Sequence, residues 1–86
     1  MQEHTKIYFD YFDYGEQDVI LCECCMKVAV DIHHINGRGP GKNVIKNLMA
    51  LCRNCHKKAH SGIFSKENLQ YVHNCVLSGI RKIFMK

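Results

Sequence analysis

An α+β fold is predicted for this chain of 86 residues from three observations. Two short apolar or β-branched runs, 28–35 and 48–51, flank a glycine-rich loop and read as two paired strands with a long connection. A helical segment, 53–60, follows the second run directly, and helical periods also cover 5–12 and the stretch after Ser65. Two Cys-x-x-Cys pairs, Cys22/Cys25 and Cys52/Cys55, bracket the unit and predict a metal staple for a core that so short a chain builds only marginally.

In the first element, Ile7, Tyr8, Tyr11 and Phe12 recur at i, i+1, i+4 and i+5, the spacing of one helix face, with Asp10 and Asp13 outward and Gly15 ending the helix. The aromatics are read as core. Glu16 to Asp18 is a turn, and Val19-Ile-Leu21 leads into Cys22-Glu-Cys-Cys-Met-Lys27, which has the form of a zinc knuckle. Along 28–35, alternation sets Val28, Val30, Ile32 and His34 on one face and Ala29, Asp31 and His33 on the other. A bulge or twist near His33 is then expected if both histidines serve one site. Asn36 to Asn43 holds three glycines, the only proline, Arg38 and Lys42, the composition of an exposed loop.

Leu48 to Leu51 is the return strand, and the helix from Arg53 to His60 closes at Ser61-Gly62 with Gly62 as a left-handed cap. Ser65 caps a last helix whose apolar residues Leu69, Val72, Val76, Ile80, Ile83 and Phe84 keep the helical period. His73 and Cys75 lie on it without neighbours at metal-ligand spacing and are read as packing or surface residues. The chain is read as a single domain, 1–86, with a signature core at 22–60.

A hydrophobic content of 47% beside 23% charged residues is that of a globular chain. No apolar run approaches the roughly 20 residues a membrane span needs, and the start lacks the basic-then-apolar order of a signal peptide. A cytoplasmic protein, neither secreted nor membrane-bound, is the expectation, and in a reducing compartment the six cysteines are metal ligands or free thiols. The net charge of +4 is unevenly spread: residues 1–26 sum to −5, whereas 27–62 sum to +6 with Asp31 as their one acid. A basic field there favours a polyanionic partner.

Two thiolates two residues apart chelate one tetrahedral Zn²⁺ from a tight turn, and two such turns complete a closed four-sulfur site of Cys22, Cys25, Cys52 and Cys55. Cys24 is left as a bystander thiol. His56 and His60, four apart on a helix, share a face, and His33-His34 adds two more imidazoles. Three ligands with a spare histidine as base are the make-up of a catalytic metal site, which keeps positions open, rather than a structural one.

Taken in order, Cys22-x-x-Cys25, Asp-Ile-His33-His34-Ile, the glycine-rich loop, Asn47-Leu-x-x-Leu-Cys52-x-x-Cys55-His56 and x-x-x-His60 resemble the HNH (ββα-metal) endonucleases, most of all the small zinc-bearing proteins of phage and bacterial origin. The resemblance implies a ββα-metal core between an N-terminal and a C-terminal helix. It also implies phosphodiester hydrolysis in DNA, with His34 as general base, Asn47 as the middle letter of the motif, and His33, His56 and His60 as ligands of a catalytic divalent metal. Many members carry Asp where this chain has His33, so Asp31 stays open as a ligand or as the carboxylate that holds a ligand ring in its tautomer. Imidazole ligands suit several ions, so Mg²⁺, Mn²⁺, Ni²⁺ and Zn²⁺ all stand for that metal, beside Zn²⁺ at the cysteines. Asn47 is expected to fix either the loop or the His34 ring.

Arg38, Lys42, Arg53, Lys57 and Lys58 are expected to hold phosphates of double-stranded DNA. A homodimer, or a phage or mobile-element protein, stands as the further partner expected. A non-catalytic zinc-stabilised module of the same fold, binding nucleic acid or protein, is the alternative; intact His34 and Asn47 count against it, because binding needs neither. A Cys₂His₂ finger is disfavoured by spacing.

Overall fold

Leu48–Leu51, an uninterrupted apolar run, forms a strand with every residue buried. It can do so because it is covered on both faces, the environment in which strands lose their polar alternation. In the computed structural model, which describes residues 1–79, it pairs antiparallel with Asp31–His34 in a two-stranded sheet. The chain order is α1 (Glu3–Phe12), β1 (Asp31–His34), a short 3₁₀ turn (Ile45–Asn47), β2 (Leu48–Leu51), α2 (Arg53–His60) and α3 (Lys66–Leu77). The return strand, the following helix, and Ser65 as a cap that accepts from the Asn68 N–H at 3.1 Å all match the sequence reading. Gly62 is left-handed at φ +84°, a conformation in which a Cβ is strained. The expected positions Ile80, Ile83 and Phe84 lie outside the described residues.

The pleat of β2 divides the core. Leu48 and Ala50 join Tyr8 and Ile20 in one cluster, against which Ile7, Phe9, Phe12 and Tyr14 pack. Met49 and Leu51 join Cys22, Cys24, Cys52, Cys55, Phe64, Leu69 and Val72 in the other. The thiols are therefore built into the apolar core, and Cys24, expected as a bystander, is fully buried there.

Three local readings are corrected. First, α1 begins at Glu3 and ends at Asp13, which is left-handed (φ 59°) and tolerates that region as Asn and Asp do; Gly15 is not needed to stop it. His4 and Tyr8, one turn apart, are its buried residues, whereas Tyr11, assigned to the core, is 52% exposed. Second, the strand is shorter than 28–35. Val28 bridges Leu21 across the knuckle turn, which Cys22 N–H closes on Lys27 O at 2.6 Å, and Val28 and Val30 are exposed.

Third, pairing is regular through His33↔Met49 and His34↔Leu48, so there is no bulge at the histidines. The irregularity lies upstream: the Val30 N–H bonds Leu51 O while Asp31 is the residue paired with Leu51. Two residues thus oppose one, which shifts the side-chain parity before β1 begins.

A buried polar hub, unforeseen in the sequence, ties four elements together. Glu23, between the first cysteines and 0% exposed, accepts from the Tyr8 hydroxyl of α1, from Ala50 N–H of β2 at 3.2 Å, and pairs with His73 Nδ1 of α3 at 2.7 Å. His73 Nε2 lies 2.6 Å from the Ile45 carbonyl. A carbonyl only accepts, so Nε2 carries a proton, and at that separation a second proton lies between Nδ1 and Glu23. His73 is therefore a bonded link between α3 and the knuckle, neither a surface nor a simple packing residue. Among the described residues no helix is long and apolar enough to cross a membrane.

Candidate metal centre and active site

The knuckle turn, with Met26 left-handed at φ 70°, presents Cys22 and Cys25; the start of α2 presents Cys52 and Cys55. Cys52 caps that helix, its Sγ accepting from Cys55 N–H at 3.4 Å. The four Sγ atoms lie within 4.8 Å of one another, and Cys25 and Cys52 are 3.6 Å apart. Zinc–sulfur bonds of about 2.3 Å in a tetrahedron set sulfurs about 3.8 Å apart, so the four thiols fit a zinc ion. The neighbouring Cys24 thiol bonds Cys22 and holds it well below the thiol range, at about 4. Burial pushes Cys25 and Cys55 upward, which leaves a thiolate among thiols that a cation would deprotonate.

His33, His56 and His60 form the second group, again with ligand atoms within 4.8 Å of one another. β1 directs His33 toward α2, and the one-turn spacing on α2 brings His56 and His60 to meet it, with ring centroids 5.0 and 5.3 Å from His33. The Nε2 atoms of His56 and His60 are 3.0 Å apart. Bonds of about 2.1 Å to one metal ion set nitrogens about 3.0 Å apart at octahedral angles and about 3.4 Å at tetrahedral ones, so this trio also fits. Asp31 reaches it from behind: its Oδ2 accepts from His56 Nδ1 at 2.8 Å, which keeps the His56 lone pair on Nε2, toward the other rings. Arg53 Nε approaches the same oxygen at 3.4 Å. Burial, and after it the neighbouring His56, His60 and His34, push the His33 imidazole down to about 4, so it is neutral, the form a metal ligand requires.

His34 points the other way from the pleat, toward α1, where the His4 ring stands edge-on at 4.8 Å. Its Nε2 is 2.8 Å from Asn43 Oδ1, and Asn43 Nδ2 donates to Glu3 Oε1 at 3.1 Å. Both His33 and His34 nevertheless line one open cleft of about 480 Å³, with Ile32, Gly37, Arg38, His56 and His60, because it forms where β1 runs out into the loop.

Asn47 is buried and its side chain bonds the loop: its Oδ1 accepts from Asn36 N–H at 2.7 Å, and its Nδ2 donates to the Gly37 and Lys42 carbonyls at 3.1 and 2.9 Å. Of the two roles open to it, the loop is the one it fills, and the His34 ring goes to Asn43. Gly37, left-handed at φ +82°, presents the carbonyl that Asn47 holds. Of the five cations singled out, Arg38 lines the cleft. Arg53 turns to Asp31, and Lys58 sits over the Phe64 ring at 5.7 Å. Lys42 and Lys57 stand outside the cleft lining.

Sequence reasoning missed Glu3, His4 and Asn43 at this site. Asn43 was in plain view at the end of the glycine loop, but no local spacing relates it to His34 or to α1.

Residues 22–62 match the family model described as HNH endonuclease. No curated protein and no solved structure matches the chain.

Proposed function

With residues 22–62 of HNH type, we propose that the protein is a metal-dependent endonuclease that hydrolyses phosphodiester bonds in double-stranded DNA. The observation that carries the reading is the three-imidazole group of His33, His56 and His60 with a fourth imidazole, His34, lining the same cleft. Three converging imidazoles beside a fourth in one open cleft are the make-up of a catalytic metal site, which keeps positions open, rather than of a closed structural one.

Hydrolysis needs a nucleophile made from water, an in-line approach, and neutralisation of the charge that builds on phosphorus and on the leaving oxygen. His33, His56 and His60 would hold a divalent ion, which would supply Lewis acidity to the hydrolysis. His34 takes the proton from the attacking water, a role worth about 10²- to 10⁴-fold in rate for a positioned base. Asp31 orients His56 through its Nδ1–H, and Asn47 holds the loop from which Arg38 reaches the cleft. Arg38 contacts the phosphate next to the scissile one, and Lys42 and Lys57 contact flanking phosphates, sequence-independent bonds that set the duplex in register. Arg53 and Lys58 contribute charge more than contact, since each is already engaged. Cys22, Cys25, Cys52 and Cys55 would hold a zinc ion that ties the knuckle to the start of α2, the helix that carries His56 and His60.

The test is plasmid nicking by chelator-treated protein to which Mg²⁺, Mn²⁺, Ni²⁺ and Zn²⁺ are returned in turn. His34→Ala is expected to abolish nicking with zinc content and fold retained. Full activity in that variant would remove the base assignment, and inactivity of the wild type with every metal would favour the non-catalytic module.

A further inference from the structure

We infer that Glu3 and Asn43 act as positioning residues that set the tautomer of His34, leaving its lone pair on Nδ1. The chain of contacts begins at an unambiguous end. The Glu3 carboxylate only accepts, so the Asn43 atom 3.1 Å from Glu3 Oε1 must be the amide nitrogen. That settles the orientation of an amide whose two ends are otherwise interchangeable. The amide oxygen therefore faces His34 Nε2 at 2.8 Å, and an oxygen facing a ring nitrogen at that distance requires the nitrogen to carry the hydrogen. In the neutral imidazole the lone pair then falls on Nδ1.

The ring plane is held as well, by His4 standing edge-on at 4.8 Å from the same first turns of α1. Glu3 and His4 belong to a helix outside the segment 22–62 that the family model matches. α1 thus acquires a functional task besides its apolar packing: it holds the base residue through a side chain of the glycine-rich loop.

The catalytic consequence rests on the nuclease reading, whereas the tautomer itself does not, and the experiment separates them. Two-bond ¹H–¹⁵N correlation spectra of the full chain loaded with diamagnetic Zn²⁺, without DNA and with the rings neutral, report which His34 nitrogen is protonated. The wild type is expected to show Nε2–H, and Asn43→Leu a mixture of tautomers. Asn43→Asp, which presents an acceptor on either oxygen, should restore Nε2–H. Glu3→Leu should loosen the preference beside Asn43 but change nothing in the Asn43→Asp background, and Glu3→Gln, which still accepts, should resemble the wild type.

In nicking assays Asn43→Leu is expected to lower kcat roughly ten- to a hundredfold, the usual cost of losing a residue that orients a catalytic group, with KM for plasmid little changed. Asn43→Asp should recover most of that loss. An Nδ1–H tautomer in the wild type, or a spectrum indifferent to Asn43→Leu, would overturn the inference. A protein with the Nε2–H tautomer that never nicks DNA would remove the nuclease reading and leave the tautomer assignment standing.

Discussion

Replacing His73 with Leu should remove most of the stability of this protein. Glu23 and His73 are both 0% exposed, so no water can take the place of a lost partner. In the variant, Glu23 keeps only the Tyr8 hydroxyl and Ala50 N–H, and the Ile45 carbonyl loses the donor that stood 2.6 Å away. Stranding a buried charge costs about 3–5 kcal/mol, and an orphaned buried carbonyl about 1 kcal/mol more. Against roughly 4–13 kcal/mol for a domain of this size, a loss of about 4–6 kcal/mol lowers the melting temperature by about 20 °C or more.

The assay is urea unfolding followed by far-ultraviolet circular dichroism at one saturating zinc concentration. The double variant Glu23→Gln/His73→Leu is the control, since it removes the charge together with its partner and should recover about 2 kcal/mol or more. A single variant within about 1 kcal/mol of the wild type, or a double variant no better than the single, would refute the reading of this hub as a charge pair.

Cys52→Ser removes a ligand and the sulfur that caps α2, so zinc stoichiometry should fall by one ion and the melting temperature should drop by tens of degrees; unchanged zinc content and stability would count against the four-cysteine site. Asn47→Ala deletes three hydrogen bonds to the loop, at about 1 kcal/mol each, and should raise amide hydrogen exchange across 36–43; protection equal to the wild type would sink that role. His33 has its folded value lowered from 6.5 to about 4, so between those limits the unfolded chain binds the proton and the folded protein does not. Protein without metal at the histidines should be most stable above pH 6.5 and lose about 3 kcal/mol as pH falls to 4, at 1.36 kcal/mol per pH unit. His33→Gln should flatten that part of the stability curve relative to wild type, and parallel curves would refute it.

Much of the site was legible because it is encoded in local spacings. Cys-x-x-Cys, His56 and His60 one turn apart, Ser65 before a helix and Leu48 to Leu51 as a return strand are set by chain geometry over a few residues. Their outcomes follow from 3.6- and 2-residue periods. The alternation that sets His33 and His34 on opposite faces was legible too, but the bulge expected near His33 was not needed, because pairing stays regular and both rings line the one cleft. The sequence could not tell that the strand would be only four residues long, because that length is set by where the knuckle turn draws Val28 back to Leu21.

What only the tertiary structure decided are the contacts across long separations. Glu23 meets His73 over fifty residues, Asn43 meets Glu3 over forty, and Asp31 meets His56 over twenty-five. No period or spacing marks such pairs, because each forms where separate elements are brought together by apolar burial, and a polar side chain carried into that interior must find whatever partner the packing has left beside it. The sequence by itself determined which residues could hold metal and which turns would present them. Packing decided which of the other polar residues would hold those groups in place.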